Sequence, residues 1–357
     1  MSTKGQESAE KGTLRPEGIA ETKGSRIQHI AVEMRLGAKD RKILKELEQN
    51  ARLPASQIAR RTGLSVESAN YRLRNLMERG IVRRNYAMYD LPRMGYNIYR
   101  ILLQLENMPA KEEKDLLNHL KGIPSALWVG TASGAWDMLA TVLARDVTEF
   151  NGIIEGILAK HGKHIRNKDI TMTVLQTSEP PGHVAGKETR IGYQTPPKEA
   201  ADLDETDYRI MTLLYRDARM PATVIAKEIG ISSDTVQYRI KNLVKSKMIK
   251  RFMCWMDRKL LGYQHYKVLV RLQFATNEQK KRLIAYCNNH PNIIFFASII
   301  GSWDMEIDMD ARSAADFHGM MRDLRNEFSD IIRNYESVII IEDYLCTPEF
   351  TPPSQDR

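Results

Sequence analysis

A long internal repeat constrains this 357-residue chain more than any other feature. The segment that starts at Asp40 (DRKILKELEQNARLPASQIARRTGLSVESANYRLRNLMERGIV) returns at Asp207 (DYRIMTLLYRDARMPATVIAKEIGISSDTVQYRIKNLVKSKMI), an offset of 167 residues. The offset holds without a gap through Ala51/Ala218, Arg52/Arg219, Pro54/Pro221, Gly63/Gly230, Ser65/Ser232, Tyr71/Tyr238 and Gly95/Gly262. It also pairs Gly134-Ala-Trp-Asp137 with Gly301-Ser-Trp-Asp304. A unit of about 140 residues therefore occurs twice, far beyond the roughly 20–50-residue period of a solenoid, so whole domains are duplicated.

The repeat locates the net charge of +8. Residues 39–90 carry 12 Lys+Arg against 6 Asp+Glu, and 206–257 carry 10 against 5. Residues 91–176 (10 against 9) and 258–343 (11 against 12) are nearly neutral, and 177–205 are acidic, 3 against 6. A basic first third joined to a neutral remainder suits a polyanion-binding part coupled to a part with another task. The composition, 42% apolar, is that of soluble globular material. No apolar run approaches the roughly 18 residues of a spanning helix, and the N-terminus has no signal-peptide pattern. Cys254, Cys287 and Cys346 form an odd, widely spaced set without a Cys-x-x-Cys pair, which argues for free thiols, a cytoplasmic location and no zinc finger.

Each basic third predicts a winged helix-turn-helix. Asp40 caps a helix with an Ile43, Leu44 and Leu47 stripe, and Pro54 opens a second helix with Ile58 and Ala59. Gly63 then suits a positive-φ helix end, and Ser65 suits an N-cap. The third helix buries Ala69, Leu73 and Leu76 and turns Ser68, Asn70, Tyr71, Arg72 and Asn75 outward. This is the DNA-reading arrangement, with the third helix in the major groove. Arg83-Arg84-Asn85-Tyr86 reads as a short basic hairpin, the wing. Ser65, Arg72 and Arg84, with Ser232, Arg239 and Arg251, are assigned to phosphates. Ser68, Asn70, Tyr71 and Asn75, with Asp234, Thr235, Gln237 and Tyr238, are placed for base edges or further backbone contacts. Asn70 and Gln237 share a position, and either amide can pair bidentately with adenine.

The neutral remainder alternates: strand at 97–106, helix at 110–121, strands at 125–132 and 135–143, helix at 147–161, strand at 169–176, and likewise in the second copy. The order βαββαβ is the ferredoxin-like pattern. The fold class is thus α+β, two winged helix-turn-helix domains each followed by a ferredoxin-like domain. The expected boundaries are a disordered extension at 1–38, a winged domain at 39–92, a ferredoxin-like domain at 93–176, and a linker at 177–205 broken by Pro180-Pro181-Gly182 and Pro196-Pro197. The second winged domain is expected at 206–259, the second ferredoxin-like domain at 260–344 and a tail at 345–357. A short arm at 27–36 has helical character. One sheet face per unit is left uncovered, so the sheets are expected to pair, either within the chain as a pseudo-dimer or between chains.

These motifs together resemble the Lrp/AsnC (feast/famine) family of transcription regulators. The resemblance rests on Asp40-x-x-Ile43-Leu44-x-x-Leu47, Asn50-Ala51-Arg52, Ile58-Ala59, Gly63-Leu64-Ser65, Arg72-Leu73-x-x-Leu76, Gly80-Ile81-Val82, Gly95 and the Gly-x-Trp-Asp turns, over about 40–176 and 207–344. It implies double-stranded DNA as partner, no enzymatic role, no resident cofactor, sheet-mediated dimerisation and a small effector, typically an amino acid, near the Gly-x-x-Asp turn. Three departures stand out: two units share one chain, Lys247 and Met248 replace Gly80 and Ile81, and the Pro-Gly turn before the last strand is missing.

Gly134, Trp136 and Asp137, with Gly301, Trp303 and Asp304, admit two roles: an effector site, with Asp accepting an ammonium and Trp walling a cleft, or a hairpin turn with a packing Trp. His161-x-x-His164 lacks a third ligand and reads as a solvated pair, not a metal site. An enzymatic alternative is a siroheme decarboxylase-like protein, since those resemble this family in fold. Their catalytic histidine lies near the wing, where this chain has Arg84-Asn85-Tyr86 and Arg251-Phe252-Met253. A third alternative is a sensor or assembly protein that uses its helix-turn-helix units for protein contacts.

Overall fold

The computed structural model describes residues 36–178, 191–194 and 199–353. The first winged unit comprises α1 (Ala38–Gln49), α2 (Ala55–Thr62), α3 (Val66–Glu78) and strand β1 (Val82–Tyr89). Its ferredoxin-like unit follows as β2 (Asn97–Leu105), α4 (Ala110–Gly122), β3 (Ala126–Gly134), β4 (Met138–Ala144), α5 (Val147–His161) and β5 (Ile165–Ser178). A short strand β6 (Ile191–Gln194) lies inside the stretch read as a linker and pairs with the end of β5. The second copy repeats the order with α6 (Glu205–Arg216), α7 (Ala222–Ile229), α8 (Ser233–Lys245), β7 (Ile249–Met256), β8 (Gln264–Leu272), α9 (Asn277–Asn289), β9 (Ile293–Ile300), β10 (Met305–Ala311), α10 (Ala314–Glu327) and β11 (Ile332–Leu345). The expected disorder at 1–38, the arm at 27–36 and the linker prolines fall almost wholly outside the described residues.

The sheets pair within the chain. Each ferredoxin-like unit has the order β5-β2-β4-β3 or β11-β8-β10-β9, and the edges join through β3–β11 and β5–β9. Eight strands thus close into one barrel, which removes every exposed edge among them. The helix-free faces turn inward and bury Leu102, Trp136, Leu139, Leu269, Ala297, Ile299, Trp303, Val338 and Ile340. β5 is longer than its sequence pattern showed because its first half pairs with β2 and its second half with β9 of the other copy.

The winged units interlock as well. β1 does not fold into a hairpin of its own. It pairs antiparallel with its repeat β7, so one two-stranded ribbon serves both units. Ala51 donates its N–H to the Phe252 carbonyl and Ala218 donates to the Asn85 carbonyl, 2.9 and 2.8 Å. Arg52 reaches the Ala218 and Met220 carbonyls, and Arg219 the Ala51 and Leu53 carbonyls, so each arginine caps the other copy's chain. The short tail is docked: Phe350 is buried against Tyr89 and Tyr215, and the Cys346 N–H donates to the Leu127 carbonyl. The three cysteines are free thiols and all buried.

Candidate nucleic-acid interface

The helix-turn-helix geometry follows from local chemistry. Gly63 (φ +69°) and Gly230 (φ +80°) end the second helix of each unit in the left-handed region, where a Cβ would be strained. Ser65 accepts the N–H of Ser68 and Ser232 that of Thr235, so each serine caps its recognition helix. The buried faces are Ala69, Leu73 and Leu76 in α3, and Val236, Ile240 and Leu243 in α8. Lys247 holds φ +59° where Gly80 holds +71°, so the turn after the helix survives the substitution at a conformational cost.

The opposite faces are open. Tyr71 and Tyr238 are 68% and 66% exposed, which is unusual for tyrosine on a helix packed into a domain. Ser65, Asn70, Ser232, Thr235 and Gln237 are exposed beside them, and Ser68 and Asn75 are half-buried. Arg72 and Arg239 are tied to their own units: Arg72 Nη1 lies 2.7 Å from Asp40 Oδ1, and Arg239 Nη1 lies 2.7 Å from Asp204 and 3.0 Å from Asp207. The bond to Asp204 raises the Arg239 guanidinium above its ordinary value. These ion pairs brace the recognition helix against the N-terminus of the first helix. Two cations that the sequence reading passed over, Arg74 and its repeat Lys241, stand exposed on the recognition helices with no partner among the described residues. Their signal was present in the repeat, as the same charge recurring on the outward face.

The wing arginines are placed differently from the phosphate role expected of them. Arg84 is half-buried and donates to the Leu345 and Cys346 carbonyls and to Thr347 Oγ1, with its guanidinium over the Tyr215 and Trp255 rings. Burial lowers its ordinary value. Arg83 pairs with Asp257 and Asp343, and Lys250 with Asp90. Arg251, the repeat of Arg84, is half-buried. The ribbon therefore holds the two copies and the tail together with the charges that the sequence assigned to DNA.

The Gly-x-Trp-Asp turns, for which two roles were open, lie within the barrel. Asp137 Oδ2 accepts the Leu105 N–H and Asp304 Oδ2 accepts the Leu272 N–H, both at 2.7 Å. Trp136 and Trp303 are buried inside the barrel, with Trp136 Nε1 donating to Glu336 at 3.2 Å. Gly134 (φ +137°) and Gly301 (φ +147°) press against the other copy's last strand, where a Cβ would meet the Ser337 and Ile170 carbonyls at 3.0 and 2.6 Å. The glycines thus sit at the barrel seams, the tryptophans fill its interior, and the aspartates hold the ends of β2 and β8. The His161/His164 pair is not solvated. His161 is buried with Nε2 3.1 Å from His119 Nδ1, and His164 Nε2 lies 2.9 Å from Glu112. Burial lowers both His119 and His161. Among the described residues no group of three or more His, Cys, Asp or Glu side chains is arranged to hold a metal ion.

The domain of winged helix-turn-helix DNA-binding proteins matches residues 36–83, and the AsnC-type helix-turn-helix domain matches residues 203–244. The chain is 29% identical over 153 residues to the HTH-type transcriptional regulator AldR of Mycolicibacterium smegmatis, 42% of this chain and 90% of that protein. It is 41% identical over 86 residues to the HTH-type transcriptional regulator LysM of Sulfurisphaera tokodaii, 24% of this chain and 60% of that protein. Both copies of the unit are thus similar to helix-turn-helix transcription regulators, and the second carries the AsnC-type domain. Over nearly its whole length it shares its fold with the siroheme decarboxylase NirDL: TM-score 0.59, 13% identity, covering 87% of this chain and 94% of that one. At that identity the likeness speaks to the two-unit fold alone. A histidine does lie beneath the wing ribbon in this chain: His265, which β8 carries there. Its position next to the wing is tertiary, and the wing sequence gave no sign of it.

Proposed function

We propose that this chain is a regulator of the Lrp/AsnC type that binds double-stranded DNA and regulates transcription, reading two non-identical half-sites with α3 and α8. The observation that carries this is a pair of open helix faces, each with an exposed tyrosine, an amide and a free cation, on units that the reciprocal Arg52 and Arg219 contacts lock together. Because the faces differ, Asn70 against Gln237 and Ser68 against Thr235, one chain offers two different contact sets where a homodimer offers one set twice. Ser65, Ser232, Arg74 and Lys241 are assigned to phosphates, and Ser68, Asn70, Tyr71, Asn75, Thr235, Gln237 and Tyr238 to base edges and adjoining backbone. Arg72 and Arg239 support this by bracing each helix. We place the function in regulation and not in catalysis, because the matched relatives are named as regulators. Among the described residues no helix is long and apolar enough to cross a membrane.

The test is retention of genomic DNA fragments by the full chain, followed by mobility shifts on an enriched fragment. The expected outcome is tight, salt-sensitive binding that Tyr71→Ala together with Tyr238→Ala weakens by about 2–4 kcal/mol in total, at roughly 1–2 kcal/mol per lost contact. Failure to retain any fragment at low salt would instead favour a protein-contact role for the helix-turn-helix units. Detectable turnover of siroheme by the purified chain would move the function to catalysis.

A further inference from the structure

A cavity of about 240 Å³ lies between the wing ribbon and one end of the barrel. It sits on the pseudo-twofold axis, because repeat partners line it from opposite sides: Tyr86 and Met253, Arg100 and Lys267, Trp128 and Phe295. The two sides have diverged in one direction. Where the first copy has Leu91, Ile98, Leu139, Thr141 and Gln176, the second has Arg258, His265, Glu306, Asp308 and Asp343. In Leu91/Arg258, Thr141/Asp308 and Gln176/Asp343 both partners line the cavity, so its ionic groups concentrate on the second-copy side, joined by Arg100 from the first. A packing cavity inherited from a symmetric dimer has no physical need of such divergence.

The carboxylates on the ionic side are already engaged, and its cations keep donor hydrogens to spare. Each lining carboxylate has two partners: Glu306 has Arg100 and Lys267, Asp308 has Lys267 and the His265 ring, and Asp343 has Arg83 and Arg258. Lys267 has a third ammonium hydrogen, and Arg258, whose Nε meets Asp310 and Nη1 meets Asp343, keeps Nη2 without a hydrogen-bond partner among the described residues. His265 is only 7% exposed and its Nδ1 has no partner, while its Nε2 lies 3.1 Å from Asp308. Burial alone would lower the Lys267 ammonium, but Asp308 and Glu306 carry it above its ordinary value. Burial pushes the Tyr86 hydroxyl up to about 12, so it remains a neutral O–H group. Spare donor hydrogens on Lys267 and Arg258 favour an incoming anion, and a ligand ammonium would find every lining carboxylate already doubly paired. The remaining walls are aromatic and suit a flat apolar body.

We propose that this axial cavity binds a small aromatic carboxylate monoanion, an aryl carboxylic or aryl 2-oxo acid, with its carboxylate toward Lys267 and Arg258. The volume falls below the roughly 300–1,000 Å³ of drug-sized pockets, which limits the ligand to one ring and a short acid arm. Because the cavity touches both β1 and β7, occupancy would bear on how the two winged units sit. That regulatory use rests on the DNA-binding reading above, whereas the site itself does not.

Calorimetric titration of the full chain with phenylpyruvate, benzoate and L-phenylalanine tests the site. The expected result is saturable, one-to-one binding of the two acids, with L-phenylalanine at least about tenfold weaker, a difference of about 1.4 kcal/mol. Thr141→Phe, which fills the cavity from β4 while every charged residue stays in the chain, is expected to abolish that binding while leaving the circular dichroism spectrum unchanged. No binding of either acid, equal binding of L-phenylalanine, or undiminished binding by folded Thr141→Phe would overturn the proposal. Because the readout does not involve DNA, carboxylate binding by a chain that ignores DNA would retire the regulator reading and keep the site.

Discussion

Replacing Gly301 by alanine tests whether the barrel closes within the chain. Gly301 has φ +147°, and an added Cβ would lie 2.6 Å from the Ile170 carbonyl and 3.0 Å from Thr171 Cγ2, both on β5 of the other copy. A backbone conformation reserved for glycine costs an L-residue about 1–3 kcal/mol. Forcing a methyl against a backbone oxygen adds an overpacking cost of about 1–3 kcal/mol, so the expected loss is about 2–6 kcal/mol. The strain falls on the β5–β9 seam. Gly156 supplies the internal control: it is exposed within α5, nothing lies within 4 Å of its added Cβ, and Gly156→Ala is expected to stabilise by about 0.4–1 kcal/mol. Urea unfolding followed by tryptophan fluorescence reads both. All four tryptophans, Trp128, Trp136, Trp255 and Trp303, lie in the barrel or the ribbon. A Gly301→Ala chain as stable as the parent would refute the reasoning, since β5 could not then be pressed against that glycine.

Three further outcomes are expected. Arg74→Ala with Lys241→Ala should reduce the salt slope of DNA binding by roughly 2, one for each phosphate contact removed; an unchanged slope in filter binding would take those cations out of the interface. Arg84→Ala should leave that slope alone and instead destabilise the chain by about 1–3 kcal/mol, because its carbonyl partners at Leu345 and Cys346 lose a charged donor; a reduced slope with unchanged stability would restore the phosphate role. Asp308 is held well below the usual carboxylate range, since Lys267 and His265 outweigh the burial that opposes ionisation. Its contribution is therefore fully present above about pH 4, the unfolded value, and is lost as the pH falls further. The stability difference between the parent and Asp308→Asn, measured by denaturant midpoint, should be flat from pH 7 to about pH 5 and shrink below about pH 4; a difference that grew on acidification would contradict the ion-pair geometry.

Much of the helix-turn-helix was legible because its determinants are local. Gly63, Ser65 and the Ala69-Leu73-Leu76 stripe act over a few residues, and the repeat displayed each of them twice. The open face of α3 was legible for the same reason, since helical spacing alone turns Asn70 and Tyr71 away from Leu73. The wing was misread because a strand of eight residues shows its alternation but not its partner: Arg84 looked free for phosphate until the chain end folded back to accept its hydrogens. Trp136 and Asp137 were ambiguous on similar grounds, since whether a tryptophan walls a cleft or fills a barrel depends on strands a hundred or more residues away.

The sequence by itself determined the duplication, the α+β order of elements and the two basic recognition helices, because composition, periodicity and helix-end chemistry operate within a single element or recur at a fixed offset. Tertiary structure alone decided that the sheets close on each other within one chain, that Arg52 and Arg219 exchange caps, and that divergent residues from β8, β10 and β11 meet at one axial cavity. Those outcomes depend on which backbone groups and charges become neighbours after burial. Such pairing is set by the free energy of the whole fold and leaves no mark on any short stretch of the chain.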